Sequence, residues 1–186
     1  MKKYEVIYAD PPWFYRDTRK NKPAYGGITY PTMKTDELCS LPVGGIAAKD
    51  CTLFLWATMP MLPEALKVMK AWGFKYKTCA YSWVKTNPRS GTYASMLGQW
   101  TMGNLEVCLL GVKGHPKRIR KDVKQLVVSP KVGHSYKPTE VRERIVELMG
   151  DVPRVELFAR NCGEGWDCIG NDIDGRDIRE VLACTE

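Results

Sequence analysis

Four consecutive residues, Asp10-Pro11-Pro12-Trp13, follow a short β-rich run at residues 4–9 and could do chemistry together. Ligands of open α/β sheets bind outside the carboxyl ends of the strands, which is where this tetrapeptide would lie. Asp10 offers an acceptor carboxylate and Trp13 a flat face for stacking, while the two prolines stiffen the turn and leave backbone carbonyls without competing local donors. An acceptor carboxylate, a rigid acceptor carbonyl and an aromatic plane together would suit the binding of a planar base that carries an exocyclic amine. The alternative is a strand end with a turn and a core tryptophan.

Other signatures of nucleotide or metal chemistry are missing from the sequence. It has no Gly-x-Gly-x-x-Gly and no Gly-x-x-x-x-Gly-Lys-Ser/Thr, which disfavours a nucleotide triphosphatase, and Gly163 and Gly165 form only a loose glycine turn. Without a Cys-x-x-Cys and with only His115 and His134, we expect no structural zinc site and no metal. An odd number of cysteines without tight pairing predicts reduced thiols at all of them, namely Cys39, Cys51, Cys79, Cys108, Cys162, Cys168 and Cys184.

The size and composition predict one globular domain over residues 1–186. Hydrophobic residues make up 44% and charged residues 26%, which excludes a disordered or collagen-like chain. The longest apolar stretch, around residues 53–57, is too short to span a bilayer. The first residues meet a charge at once and show no apolar run that ends at a small-residue cleavage site, so we expect no signal peptide and a cytoplasmic protein. The net charge of +7 is compatible with a polyanionic partner such as nucleic acid.

Strands and helices alternate along the chain, which predicts an α/β fold with a mainly parallel sheet. Apolar residues at helical spacing favour a helix over 60–72 that ends before Gly73, and Thr35 and Thr139 are candidate N-caps. The long loop-like stretches at 14–35 and 87–104 are candidates for function. The predicted strands are 4–10, 51–57, 79–85, 105–112, 155–160 and 166–170, and the remaining predicted helices begin near 35, cover 139–149 and cover 174–183.

The tetrapeptide at residues 10–13 resembles the catalytic motif of the MT-A70 family of N6-adenine methyltransferases. The resemblance continues in order along nearly the whole chain, and several collinear blocks at sensible spacing make it specific. The further blocks are Tyr30-Pro31-Thr32-Met33, Leu53-Phe54-Leu55-Trp56, Trp83-Val84-Lys85-Thr86-Asn87, Gly111-Val112-Lys113-Gly114, His134-Ser135-Tyr136-Lys137-Pro138, Glu156-Leu157-Phe158-Ala159-Arg160 and Gly170-Asn171.

This resemblance implies a Rossmann-like methyltransferase fold with helices on both faces and a permuted order. The catalytic motif then comes first, and the strand for S-adenosylmethionine (SAM), at 155–160, lies near the C-terminus. In the implied reaction, Asp10 and the Pro11 carbonyl accept the two N6 hydrogens of adenine and localise the nitrogen lone pair, which attacks the SAM methyl group. Trp13 and Tyr30 would hold an adenine extruded from a duplex.

For the cofactor, the resemblance implies that Lys137 binds the methionine carboxylate and that Asp10 lies near the amino group. Asn171 and Asp172 would grip the ribose hydroxyls, although relatives often carry an amide where this chain has Asp172. The loop at 162–167 is the expected place for the adenine ring of SAM. His134 is expected to be a loop residue rather than a general base. The complete predicted cofactor set is Asp10, Lys137, Phe158, Arg160, Asn161, Asn171 and Asp172.

Two basic runs are candidates for a phosphate-contacting rim near the same strand ends. The first contains Arg16, Arg19, Lys20 and Lys22, and the second contains Lys113, Lys117, Arg118, Arg120, Lys121 and Lys124. Because the sequence shows no added domain of the kind that RNA-specific relatives carry, DNA is the expected substrate and RNA the alternative. A catalytically silent nucleic-acid-binding subunit is a further alternative, and a homodimer or a partner subunit is possible.

Overall fold

A seven-stranded sheet forms the centre of the computed structural model, which describes residues 2–15, 30–95, 98, 100–131 and 136–183. The strand order is β5-β3-β4-β2-β1-β6-β7. The strands are β1 (Tyr4–Ala9), β2 (Ala47–Thr58), β3 (Lys75–Thr86), β4 (Leu105–Lys113), β5 (Leu126–Pro130), β6 (Arg154–Leu157) and β7 (Asp167–Ile169). The helices are α1 (Thr35–Cys39), α2 (Val43–Ile46), α3 (Leu62–Ala71), α4 (Thr139–Met149), α5 (Asn171–Asp174) and α6 (Ile178–Ala183).

The sheet is mainly parallel, as predicted, and β4 is the exception. Strand β1 pairs in parallel with β2 and with β6, β6 pairs in parallel with β7, and β3 pairs in parallel with β5. Strand β4 lies antiparallel to both of its neighbours, β2 and β3. Every described strand except β4 therefore ends at the same edge of the sheet, and the segment after β4 leaves from the opposite edge.

Helices cover both faces of the sheet, which confirms the Rossmann-like α/β fold. On one face, α1, α2, α3 and α6 pack on β1, β2 and β6 through residues such as Leu38, Met69 and Leu182. On the other face, α4 packs through Val141 and Ile145 on an aromatic layer that includes Tyr8 and Trp56. Residues 51–57 of β2 form a continuous apolar run because both of their faces are covered.

Several element boundaries differ from those that the sequence predicts. The N-cap of α1 is Lys34 rather than Thr35, and the N-cap of α4 is Pro138 rather than Thr139. The helix predicted from residue 60 is preceded by a 3-10 turn at Met59–Met61. The helix predicted over 174–183 is split into α5 and α6 because Gly175 turns the backbone with a φ of 75°.

The expectation that all seven cysteines are reduced is wrong for two of them. Cys162 and Cys168 form a disulfide that closes the loop between β6 and β7. Closely spaced cysteines, as in Cys-x-x-Cys, are the usual sequence sign of a bonded pair. Cys162 and Cys168 are six residues apart, so their spacing did not indicate a disulfide. Among the residues that the structure describes, no helix has the length and apolar character needed to cross a bilayer.

Candidate functional site

The predicted site residues gather at the carboxyl edge of the parallel strands. Asp10 follows β1, Arg160 lies shortly after β6, and Asn171 follows β7. Strands β1, β6 and β7 are neighbours in the sheet and run in the same direction. Their ends therefore meet at one place, and that place is where open α/β sheets bind ligands.

The centre of the site is a largely buried ion pair between Asp10 and Lys137. The Lys137 Nζ lies 2.6 Å from Asp10 Oδ2, and the two side chains are 13% and 21% exposed, respectively. The same ammonium lies 3.3 Å from Glu106 Oε2 and 5.5 Å from the centre of the Trp56 ring. Two carboxylates and an aromatic face thus fix one lysine at the end of the central strands.

Glu106 belongs to the site, although the sequence gave no reason to select it. It opens the inner part of β4 opposite Trp83 of β3, and its side chain is 13% exposed. A single glutamate in a strand has no local motif, and its partner Lys137 arrives from a distant part of the chain. The sequence offered one sign that Glu106 has a special role, which is its position as a charged residue within an otherwise apolar run. A charged residue in a buried strand needs a partner of opposite charge.

The ionisation of this cluster follows from burial and from the neighbouring charges. Burial raises the pKa of Asp10; Lys137 opposes this shift, and the charge of Glu106 adds to it. Burial also disfavours the charged form of Glu106, but Lys137 and Lys85 outweigh it and lower the pKa of Glu106. Burial disfavours the charged form of Lys137 too, and Asp10 and Glu106 overcome that to raise its pKa. Lys137 thus stabilises the charged form of both carboxylates, and burial outweighs that stabilisation at Asp10 but not at Glu106.

The turn after Asp10 is packed differently from the prediction. Trp13 is only 5% exposed, and its indole N–H donates to the Trp56 carbonyl at 3.1 Å. The ring is thus part of the core, and the stacking face predicted for it is not exposed. The two proline carbonyls also have donors, since the Trp13 N–H donates to the Pro11 oxygen at 2.9 Å and the Met33 N–H donates to the Pro12 oxygen at 2.8 Å. Each carbonyl keeps a second lone pair.

Tyr30 and Arg160 form a second group beside the ion pair. The Arg160 guanidinium carbon lies 4.5 Å from the centre of the Tyr30 ring, which is a cation–π contact. One of its nitrogens lies 3.9 Å from Asp172 Oδ2. The positive charge of Arg160 also helps to keep Asp10 ionised by lowering its pKa. Three predicted site residues are thus brought together with Asp10.

The backbone between β6 and α5 is unusually constrained. Phe158 has a φ of 61°, a left-handed conformation that a bulky residue rarely adopts, and it ends β6 earlier than predicted. Strained residues of this kind cluster at functional sites. Gly170 lies so close to the neighbouring segment that a Cβ would be 2.2 Å from the Ala159 oxygen. The two chain segments that carry Arg160 and Asn171 are therefore held in close contact.

Asn161, which is predicted to bind the cofactor, contacts helix α4. Its Oδ1 accepts a hydrogen bond from Arg142 of α4 at 2.7 Å. The same arginine donates to both carboxylate oxygens of the buried Glu156, at 2.6 and 2.9 Å. Burial raises the pKa of Glu156, and Arg142 opposes that shift. This network ties β6, α4 and the following loop together behind the ion pair.

The second basic run does not lie near the ion pair, so the prediction of a common rim is wrong for it. Glu106 pairs with Thr58 at the carboxyl end of β2, whereas Lys113 pairs with Cys51. The direction of β4 thus carries the chain about 23 Å to the opposite edge, at about 3.3 Å per residue.

The remaining residues of that run leave from this opposite edge. The Ile119 N–H donates to the Leu148 carbonyl in the last turn of α4 at 2.8 Å, so Lys117, Arg118 and Arg120 lie beside that end of the helix. The Nε of Arg120 donates to Asp122 at 2.9 Å. The sequence predicted the strand β4 itself, but nothing in it indicated that β4 runs antiparallel to β2 and β3.

Some predicted residues lie outside the part that the structure describes, and others are exposed within it. Arg16, Arg19, Lys20 and His134 fall outside the described residues. Asn171 and Asp172 are exposed at the start of α5, where their polar groups are available to a ligand. Across residues 2–15, 30–95, 98, 100–131 and 136–183, no group of three or more His, Cys, Asp and Glu side chains could hold a metal ion.

Proteins of known name resemble this chain along nearly its whole length. A family model described as MT-A70 matches residues 4–172. The Type II methyltransferase M.MunI of Mycoplasma sp is 36% identical over 197 residues, which cover 95% of this chain and 81% of that protein.

Two longer proteins match over a smaller share of their own length. The N(6)-adenosine-methyltransferase MT-A70-like of Arabidopsis thaliana is 32% identical over 96% of this chain and 25% of the plant protein. The N(6)-adenosine-methyltransferase catalytic subunit METTL3 of Homo sapiens is 30% identical over 93% of this chain and 29% of the human protein. The chain thus spans less than a third of these two adenosine methyltransferases.

Proposed function

The chain belongs to the MT-A70 family of methyltransferases, and on that basis we propose that it transfers a methyl group from SAM to the N6 amine of adenine in nucleic acid. We propose DNA as the substrate, with RNA as the alternative. The observation that carries the proposal is the largely buried Asp10 carboxylate at the end of the inner strand β1, paired with Lys137 at 2.6 Å.

Asp10 is proposed to activate the substrate amine. The N6 lone pair of adenine is delocalised into the ring, so the amine is a poor nucleophile. Asp10 and the second lone pair of the Pro11 carbonyl would accept the two N–H groups and turn the nitrogen towards tetrahedral geometry. The carboxylate would also stabilise the positive charge that develops on N6, and then receive its proton or pass it to water. SAM, when bound, supplies an electrophilic methyl group and leaves as a neutral thioether.

The donors at this edge fit the polar groups of SAM. Lys137 offers an ammonium for the methionine carboxylate, and Asp10 offers a carboxylate for the amino group. Asn171 and Asp172 are exposed at the start of α5, and Asp172 lies 3.9 Å from Arg160. These side chains are proposed to bind the ribose hydroxyls. Phe158 at the end of β6 is proposed to line the pocket, and the loop at 162–167 to hold the adenine ring of the cofactor.

The base is proposed to bind beside Tyr30, because the Trp13 ring is packed in the core. The Arg160 guanidinium carbon lies 4.5 Å from the centre of the Tyr30 ring, and an extruded adenine is proposed to stack with this pair of side chains. Arg16, Arg19 and Lys20 follow the catalytic turn within a few residues and are proposed to contact the phosphate backbone.

The sequence identities favour DNA over RNA. The Type II methyltransferase is 36% identical to this chain, whereas the two relatives named for adenosine, the ribonucleoside, are 32% and 30% identical. A catalytically silent subunit is disfavoured by the Asp10–Lys137 pair, because a protein that only binds nucleic acid has no need for both residues in one buried site. A homodimer or a partner subunit remains part of the proposal for nucleic-acid binding.

Transfer of tritium from labelled SAM to adenine-containing DNA and RNA, followed by nucleoside analysis, tests this function. We expect N6-methyldeoxyadenosine from DNA. Asp10→Asn should lower the rate by about 10²–10³-fold, because the charge at the reacting nitrogen is lost while the size of the side chain is kept. Asp50→Asn is the matched control, since Asp50 lies at the opposite end of β2 and accepts the His115 N–H at 2.7 Å.

Two results would contradict the proposal. Full activity of Asp10→Asn would remove Asp10 from the mechanism. Label on a base other than adenine, or at a position other than N6, would refute the proposed reaction. Product from RNA and not from DNA would reverse the preference between the two substrates.

A further inference from the structure

Lys85 is a buried lysine to which the proposed mechanism gives no part. It lies near the end of β3, and only 6% of the residue is exposed. Its ammonium donates a hydrogen bond to Glu106 Oε1 and lies 4.7 Å from the centre of the Trp83 ring. A lysine is rarely buried so completely unless a partner compensates its charge. Here the partner is the same glutamate that contacts Lys137.

Four largely buried charges therefore form one alternating row. Lys85 contacts one oxygen of Glu106, the other oxygen of Glu106 lies 3.3 Å from Lys137, and Lys137 lies 2.6 Å from Asp10. The strand register explains the row, since Glu106 faces Trp83 across β3 and β4, and Lys85 is two residues further along the same face. The formal charges of the row sum to zero.

The balance of this row bears directly on Asp10. Lys137 is shared by two carboxylates, and each of them disfavours ionisation of the other. Lys85 gives Glu106 a second cation, so Glu106 can stay ionised without depending on Lys137 alone. If Lys85 were neutral, two carboxylates would compete for one ammonium in a site with little water, and one of them would tend to take up a proton.

We propose that Lys85 is a positioning residue of the methyl-transfer site: it anchors Glu106, and Glu106 in turn holds Lys137 when Asp10 turns to the substrate amine. This inference rests on the proposed function for the step that Asp10 performs. Lys85 itself touches neither the amine nor the cofactor. Its effect passes through Glu106 and Lys137, and it appears as a change in the ionisation of Asp10.

The groups that face Asp10 allow this effect to be assigned. From the surrounding loops and strands they are Lys137, Glu106 and Arg160, and packed beneath are Tyr8 of β1, Cys108 of β4 and Glu156 of β6. Burial raises the pKa of Tyr8 and of Cys108 well above their ordinary values, so both stay neutral at working pH. Glu156 has its own partner in Arg142. Besides Glu106, whose pKa Lys137 and Lys85 lower, Asp10 is the facing carboxylate whose titration depends on this row.

The test is a titration of Asp10 in Lys85→Met, which keeps the length of the side chain and removes the charge. The carboxyl carbon of Asp10 is followed by carbon-13 NMR in the protein without cofactor, with Asp10→Asn to assign the signal. We expect the pKa of Asp10 to rise by about one unit, because one of two compensating cations is gone. At the wild-type midpoint of the acid limb, the methylation rate should be about five-fold lower, and it should recover at higher pH.

Lys113→Met is the matched control. Lys113 lies at the other end of β4 and donates to the Gly44 carbonyl at 3.0 Å, so its substitution removes the same charge and a buried contact far from Asp10. We expect no shift of the Asp10 titration in this variant. An equal shift in both variants would mean that net charge alone is responsible, and it would overturn the proposal.

Two further variants reverse the sign of the effect. Glu106→Gln leaves one carboxylate with two lysines, so the pKa of Asp10 should fall. Lys85→Met combined with Glu106→Gln restores the balance, so the titration of Asp10 should return towards the wild-type value. A merely structural role of Lys85 would give no such reversal. If Lys85→Met alone fails to fold, the double variant and Glu106→Gln still decide the question.

The outcomes separate this inference from the proposed function. An unchanged Asp10 titration in Lys85→Met, or a double variant that stays shifted, would overturn the role of Lys85 even if methyl transfer is observed. A wild-type protein that transfers no methyl group, with the expected NMR shifts present, would instead refute the proposed function and leave the coupling between Lys85 and Asp10 established.

Discussion

A single methyl group added at Gly170 should push apart the two backbone segments of the site that contain Ala159 and Gly170. Its backbone is extended, with a φ of 174°, so the constraint is space and not conformation. In Gly170→Ala the new Cβ would lie 2.2 Å from the Ala159 oxygen and 2.6 Å from the Ala159 nitrogen. Ordinary contacts begin near 3.4 Å, so the two backbone segments must move apart by about 1.2 Å.

This displacement should affect both stability and rate. Overpacking of this kind costs about 1–3 kcal/mol of unfolding free energy. Arg160 follows Ala159 directly and Asn171 follows Gly170 directly, so the separation moves two proposed cofactor-binding residues relative to each other. A misplacement of about 1 Å can cost about 10²-fold in rate, and we expect a loss of that order in single-turnover methylation.

The measurements are urea unfolding and single-turnover transfer from labelled SAM, with Gly45→Ala as the control. Gly45 lies in α2, and a Cβ there meets no atom within 4 Å, so alanine should raise stability by up to about 1 kcal/mol without changing the rate. Wild-type stability and rate in Gly170→Ala would refute the steric reasoning. A loss of stability with an unchanged rate would show that this close approach does not set the site geometry.

Two further predictions concern the second basic run and the disulfide. Replacing Lys117 and Arg118 by glutamine should change single-turnover methylation by less than about two-fold at physiological salt. These residues follow Lys113, which lies about 23 Å across the sheet from Glu106, and screening acts over about 8 Å. A ten-fold loss would place nucleic acid on that edge. Cys162→Ser should lower the unfolding free energy under oxidising conditions by about 2 kcal/mol, the value expected for a loop with a separation of six residues. Thiol titration of the unfolded wild-type protein should gain two thiols on reduction, and an unchanged count would contradict the Cys162–Cys168 bond.

The sequence predicted the parts of the site that depend on local patterns. Pro11 and Pro12 end β1 directly after Asp10, because proline cannot continue the strand, and this placed the carboxylate correctly. The apolar run at 51–57 predicted a buried strand for the same kind of reason. The resemblance to a family then brought in Lys137, which is far from Asp10 along the chain and which no local pattern could have paired with it.

The rest depends on contacts between distant segments. Glu106 and Lys85 have no motif of their own, and their significance lies in the pairing of β3 with β4. The reversed direction of β4 moved the second basic run to the opposite edge of the sheet. The indole N–H of Trp13 finds its acceptor on Trp56, which turned a predicted stacking surface into a core residue.

The position of β1 in the sheet has a consequence for how the protein folds. The first strand of this chain becomes an inner strand, bonded to β2 on one side and to β6, from the last third of the chain, on the other. During synthesis, at about 5–20 residues per second, the apolar residues of β1 are made well before β6 exists. Pairings so distant along the chain also slow folding after release. The strand that carries the proposed catalytic carboxylate is therefore made well before its partner β6, and until then the nascent chain exposes it as an apolar segment that a chaperone could bind.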